Sequence, residues 1–170
     1  MIKKIPFLLF VFTLFTFRLA AQTHQRGHGA ASVQELGQTV FNALKDNQFT
    51  TLNSYLPDEV ELRILKRRSS PDMRALLEKT SPDSVKQSLQ ANFNNIVTQT
   101  TGNAFNWNNY QLSNTNATQL DKKNRALFRV QVTIANMAGQ EQQLFFEALH
   151  IRNRYFLFKQ LLFQAGTQPN

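Results

Sequence analysis

Cysteine is absent from all 170 residues of the chain. Its absence excludes disulfide bonds, and it excludes lipid attachment at a cysteine behind a leader peptide. The sequence also lacks a Ser-His-Asp pattern, paired carboxylates on one element and a glycine-rich phosphate loop. We therefore predict no catalytic residue set, no metal site and no cofactor. Stability must come from a hydrophobic core, for which about 150 residues are enough.

Long apolar runs are also scarce, and the one that stands out lies at the start. Lys3 and Lys4 precede the almost wholly apolar segment 5–17, and Leu19-Ala20-Ala21 supplies small residues before Gln22. This three-part pattern is typical of a secretory signal peptide. The run is shorter than the roughly 20 apolar residues that span a bilayer. We predict a signal peptide over 1–21, cleavage after Ala21, no stable membrane insertion afterwards, and a bacterial periplasmic or secreted protein.

Acidic residues are outnumbered, with 11 Asp and Glu against 19 Lys and Arg. Three of the cations, Lys3, Lys4 and Arg18, belong to the leader, so the mature chain carries a net charge of +5. This moderate basicity is weak support for nucleic-acid binding, and we predict no nucleic-acid partner.

The chain after the leader divides into a short entry, one domain and a tail. We predict a flexible tether over 22–31, a single α+β domain over 32–164 and a frayed tail over 165–170. His24 and His28 in the tether have no carboxylate or thiolate partner nearby in sequence. We therefore interpret both histidines as solvated side chains.

Helix signals fill the first half of the domain. Ser32, Asp58, Ser70 and Ser81 each precede an apolar pattern of helical spacing, and proline follows the last two. A short helix is predicted from Phe49 to Leu56, and Gly102 is predicted to end the longest helix in a left-handed conformation.

Strand signals fill the second half. We predict strands over 125–135, 141–152 and 155–163, a strand-like entry over 105–112 and a turn within 113–123. Two-residue loops at Ala138-Gly139 and Asn153-Arg154 would pair Val130 with Glu147 and Glu147 with Gln160. A four-residue first loop would keep the same faces together.

In this register Glu147 and Gln160 interrupt an otherwise apolar, helix-facing side of the sheet. A carboxylate there needs a hydrogen-bonding partner. One interpretation is a ligand pocket anchored by Glu147 and Gln160, with Trp107 and Tyr110 as further lining; the other is a pair at the open end of the sheet without chemical function. Glu147 is the candidate general base if the protein is an enzyme. The opposite face is apolar enough to be partly covered or to form a homodimer.

A basic cluster closes the second full helix. Arg63, Lys66, Arg67 and Arg68 form either an anion-binding patch or a set of cations favoured by the helix dipole.

The order of elements resembles the nuclear-transport-factor-2-like superfamily, which includes ketosteroid isomerase and polyketide cyclases. The resemblance is carried by segment 40–49 with Leu52 and Tyr55-Leu56-Pro57, and by the closing segment 152–157. It implies helices packed on a curved, cone-like antiparallel sheet; a cystatin-like helix-on-sheet fold is the alternative. The additional helical segment 58–80 departs from the usual plan, and no catalytic residue of the isomerases can be placed here.

Three functions remain open at this point. We favour an exported, non-catalytic binding or assembly module that holds a small apolar ligand in a cone pocket. The alternatives are an isomerase- or cyclase-type enzyme and an envelope factor that interacts with other proteins.

Overall fold

Helices occupy the first half of the described chain and strands the second. The computed structural model describes residues 28–103, 105–120 and 125–166, so the predicted signal peptide and His24 lie outside the described residues. The α-helices are Val33–Lys45 (α1), Glu59–Arg68 (α2), Pro71–Glu78 (α3) and Pro82–Gly102 (α4), with 3-10 helices at Phe49–Tyr55 and Trp107–Asn109. The strands are Tyr110–Gln119 (β1), Leu127–Asn136 (β2), Glu141–Ile151 (β3) and Arg154–Gln164 (β4). The predicted α+β class, with helices on an antiparallel sheet, is confirmed.

The helices begin where the capping residues predict. The Ser32 hydroxyl accepts a hydrogen bond from the Glu35 amide at 3.1 Å, and Asp58 and Ser81 each complete a capping box. These side chains satisfy amides that the first helical turn leaves free. The prediction for Gly102 was wrong, because it is the last residue of α4 and Asn103, with a φ of −95°, follows as the cap.

The sheet is antiparallel in the order β1-β2-β3-β4. Its first strand extends to Gln119, further into the polar segment 113–123 than the strand-like entry predicted over 105–112. The part of that segment from 121 onward lies outside the described residues, so the turn within 113–123 stays a prediction. The residues of β1 from Gln111 onward are mostly polar and exposed, so their sequence lacks the alternation that identifies a half-buried strand. Pairing with β2 is what makes this segment a strand.

The β2–β3 connection is one residue longer than predicted, and the extra residue changes which side chains of β3 share a face with those of β2. Asn136 and Gln140 close a three-residue loop through a backbone hydrogen bond of 3.1 Å. The Asn136 side chain accepts from the amides of Ala138 and Gln140, and Gly139 takes a φ of 76°. Three-residue hairpin loops require such a left-handed residue.

The predicted β2–β3 pairs were therefore wrong by one residue. Val130 pairs with Phe146 and Arg129 pairs with Glu147. Since side chains alternate along a strand, a one-residue shift exchanges the two faces of β3 relative to β2. A four-residue loop, which we considered, would not have made this exchange.

The β3–β4 turn also differs from the prediction. Its two central residues are Arg152 and Asn153, with φ values of 51° and 59°, and Ile151 pairs with Arg154. Two successive left-handed residues match the type I′ turn that suits a twisted hairpin. Irregularities flank Glu147 in this pairing, so Glu147 lies opposite Lys159 rather than Gln160.

One face of the sheet packs against α1. A Cβ atom added at Gly37 of α1 would lie 2.8 Å from the Thr115 hydroxyl and 3.0 Å from a methyl of Val132. Thr115 and Val132 are cross-strand partners, so their face is the one beneath α1. The fully buried residues Val130, Val132, Ile134, Leu144, Phe146 and Ala148 lie on it.

The opposite face is polar near β1 and apolar at one end of β3 and β4. Leu149 and Phe156 are paired across the strands and are buried. α2 lies against β3 and covers this end with its buried residue Leu65. The residues of β3 that we assigned to a partly covered second face, Leu144 and Phe146, lie instead beneath α1, so that assignment was wrong.

The segment directly before the predicted start of the domain is part of the fold. Ala30, which we assigned to the tether, is fully buried and exchanges two backbone hydrogen bonds of 2.8 Å with Tyr155 of β4. These bonds cover the outer edge of β4 at one end. His28, two residues earlier, is exposed.

Candidate functional site

A cavity of about 370 Å³ lies between the α2–α3 pair and one end of the sheet. Its walls combine apolar and polar side chains, and the two helices and the sheet contribute the apolar residues Ile64, Leu65, Met73, Leu127, Leu149 and Ile151. Leu149 is fully buried, and Leu65, Met73 and Ile151 are nearly so. The volume lies within the roughly 300 to 1,000 Å³ usual for small-molecule sites.

Capping residues in the local sequence determine where α2 and α3, the two helices that line this cavity, begin. The Asp58 carboxylate accepts from the amides of Val60 and Glu61, and the Glu61 carboxylate accepts from the Asp58 amide. Ser70 then caps α3 directly after α2 ends. A single ion pair joins the helices in the described part of the chain, between Lys66 and Glu78 at 3.5 Å.

Three arginines from three separate elements surround the cavity. Arg68 is the last residue of α2, Arg125 precedes β2, and Arg152 lies in the β3–β4 turn. All three are exposed, and none forms an ion pair with another described residue. No acidic residue is among the described residues that line the cavity. The site therefore combines apolar walls with an unneutralised positive charge.

The predicted basic cluster contributes only one member to this site. Arg68 lines the cavity, whereas Lys66 is held by Glu78. Arg63 and Arg67 are exposed on α2 and do not line the cavity. Helix-dipole stabilisation accounts for cations at the end of α2, but it does not account for Arg125 or Arg152, because neither lies in a helix.

Glu147 is placed away from this cavity. It is only 9% exposed and lies between Arg129 on β2 and Lys159 on β4 as cross-strand neighbours. Burial raises the pKa of Glu147 above its usual range, and the positive charges of Lys159 and Arg129 partly oppose that rise. Opposite charges on neighbouring strands stabilise a sheet modestly. The position of Glu147 between Arg129 and Lys159 is therefore that of a residue that stabilises strand pairing.

The other residues predicted to bind a ligand with Glu147 lie apart. Gln160 is exposed, has a φ of 54° and lines a separate cleft with Leu76 and Leu162. The Trp107 indole donates to the Thr100 hydroxyl at 3.3 Å and is buried. Tyr110 stacks on Phe105 with ring centroids 4.5 Å apart. The structure therefore does not bring the four residues together around one cavity.

His150 also lines the arginine-rimmed cavity. Its imidazole stacks on Tyr155, with ring centroids 4.5 Å apart, and by strand alternation it lies on the sheet face opposite Glu147. A joint His–Glu site is thereby excluded.

Neither a metal site nor a relative assigns a function to the chain. Among the described residues, no three His, Asp or Glu side chains cluster so as to hold a metal ion. No helix within those residues is long and apolar enough to cross a membrane. No protein-family model matches the chain, and no curated protein matches it significantly.

Proposed function

We propose that this chain is an exported, non-catalytic binding module and that its ligand occupies the cavity beneath α2 and α3. The observation that carries this proposal is the cavity itself, which has a ligand-sized volume and buried apolar walls. The leader pattern in 1–21 supports export. The resemblance to the nuclear-transport-factor-2-like superfamily supports the general plan of helices on a curved sheet, but it gives no support to this particular cavity, because α2 and α3 belong to the segment 58–80 that departs from the superfamily plan.

Filling the cavity tests the proposal. Ala126 lines it and is half-buried, so Ala126→Phe should block binding of a neutral apolar dye such as Nile red. Ala138→Phe is the matched control, since Ala138 is exposed in the β2–β3 turn and lies outside this cavity. Dye binding that persists in Ala126→Phe, or that is absent from the unmodified chain, would contradict the proposal.

Export is tested separately. The full chain expressed in a bacterial host should be recovered from the periplasm or medium with Gln22 as its first residue, as determined by N-terminal sequencing. Recovery of an intact leader in the membrane fraction would show an anchor instead.

A further inference from the structure

We infer that the ligand of this cavity is a single-chain amphiphile with an anionic head, a carboxylate or a phosphate ester. This inference rests on the proposed function and adds the chemical class and orientation of the ligand. The alkyl chain lies between the helices and the sheet, and the head lies among Arg68, Arg125 and Arg152.

The apolar walls select the body of the ligand. On the helix side the cavity is lined by Ile64, Leu65 and Met73, and on the sheet side by Leu149 and Ile151. Aliphatic walls on both sides favour an aliphatic guest, because burial of alkyl groups contributes about 0.8 kcal/mol for each methylene. A thioether such as that of Met73 adapts to irregular aliphatic surfaces.

The three arginines at the cavity favour a ligand with an anionic head group. They come from a helix end, an inter-strand connection and a hairpin turn, so their convergence on one cavity does not follow from any single local rule. Their charges have no ion-pair partner within the described ranges. Guanidinium groups present several donors in a plane that matches the oxygens of carboxylates and phosphates. A cationic head would instead meet uncompensated positive charge.

A series of eight-carbon probes with different heads tests this inference on the full chain. Calorimetric titration with octanoate and octyl phosphate should show affinities about tenfold higher than with 1-octanol, as expected when several exposed charge pairs act together. Octyltrimethylammonium should bind more weakly than 1-octanol. The preference for anions should shrink as salt is added, because the arginines are exposed.

Two triple variants show where the preference originates. Arg68→Gln, Arg125→Gln and Arg152→Gln together should lower the affinities for octanoate and octyl phosphate to that for 1-octanol, measured on the same variant. The fluorescence of the buried Trp107, which lies outside the cavity, shows independently that the variant is folded. The matched control removes three exposed arginines of α2 and α3 that do not line the cavity, Arg63, Arg67 and Arg74, and should keep the preference.

The outcomes separate this inference from the proposed function. Equal affinity for all four probes overturns the anionic head and leaves the binding function intact. Absence of binding by all four, together with absence of Nile red binding, removes both. Equal loss of the preference in the two triple variants also overturns the inference, because it would trace the effect to net charge rather than to the three arginines at the cavity. Of two anionic probes that bind, the tighter identifies the head group.

Discussion

Replacement of Gly37 by alanine should destabilise the protein, although alanine is the better helix former. Gly37 lies inside α1, where a change from glycine to alanine would by itself stabilise an exposed helix by about 1 kcal/mol. Here the added Cβ would lie 2.8 Å from the Thr115 hydroxyl oxygen, 3.0 Å from the Thr115 methyl and 3.0 Å from a Val132 methyl. Favourable carbon–carbon contacts lie at about 3.5 to 4.0 Å, so α1 must move away from the sheet.

The expected change in the free energy of unfolding is the difference between the cost of overpacking and the gain in helix propensity. Overpacking of a well-packed core costs about 1 to 3 kcal/mol, which exceeds the gain in helix propensity. We expect Gly37→Ala to lower the free energy of unfolding by about 1 kcal/mol, which corresponds to a fall in Tm of about 2 to 4 °C for a domain of this size. Urea denaturation followed by the fluorescence of Trp107, the single and buried tryptophan, measures the change.

Two further variants make the test specific. Gly102→Ala is the matched control, because a Cβ at the end of α4 meets no atom within 4 Å; it should be neutral or stabilising by up to about 1 kcal/mol. In a Thr115→Ala background, two of the three closest atoms are gone and Gly37→Ala should cost less. If Gly37→Ala stabilises the protein as much as Gly102→Ala does, the close packing of α1 on Thr115 and Val132 is refuted.

Three other predictions concern single side chains. Thr115→Val should raise the free energy of unfolding by about 1 kcal/mol in urea denaturation, because the buried Thr115 hydroxyl has no hydrogen-bond partner among the described residues; a loss of stability would indicate a partner. Glu147→Gln should stabilise the protein at neutral pH and lose this advantage in acid. The native pKa of Glu147 is raised above 4.5, so wild-type stability falls as the pH rises between the unfolded and native pKa values; Glu141→Gln controls for charge, and a difference independent of pH would contradict the reasoning. Asp58→Ala should cost about 1 kcal/mol through loss of the α2 cap and should speed hydrogen exchange in α2; unchanged exchange there would show that packing alone holds α2.

Local signals in the sequence were sufficient for the helices. Ser32, Asp58 and Ser81 act within three residues of themselves, by accepting hydrogen bonds from amides of the first turn. Such contacts are present whatever the rest of the chain does, and so the sequence predicts them. β1 is the opposite case, because its polar residues become a strand only through pairing with β2.

The pairing of β2 with β3 is specified by only two residues at the loop that joins them. Asn136 accepts from two loop amides and Gly139 supplies the left-handed residue, and together they specify a three-residue loop. Both residues belong to the segment Asn-Met-Ala-Gly-Gln over 136–140. An interpretation that used both Asn136 and Gly139 would have predicted the correct pairing of β2 with β3. The two-residue alternative exchanged the faces of β3 and placed Glu147 on the wrong one.

The candidate site could not be predicted for a different reason. Arg125 and Arg152 flank strand ends and belong to no motif, and 27 positions separate them in the sequence. Only the pairing of β2 with β3, which sets Leu127 opposite Leu149, brings the start of β2 to the end of β3. Arg68 joins them because α2 ends at the same corner of the sheet. When the residues of a site lie at strand ends and turns, the register of the sheet decides which of them meet, so an error of one residue in a loop makes the site unpredictable. Residues along a single helix are neighbours whatever the register of the sheet, and their cluster can be predicted from the sequence. The basic cluster on α2 was visible for that second reason, and the structure retains only its last member, Arg68, at the cavity.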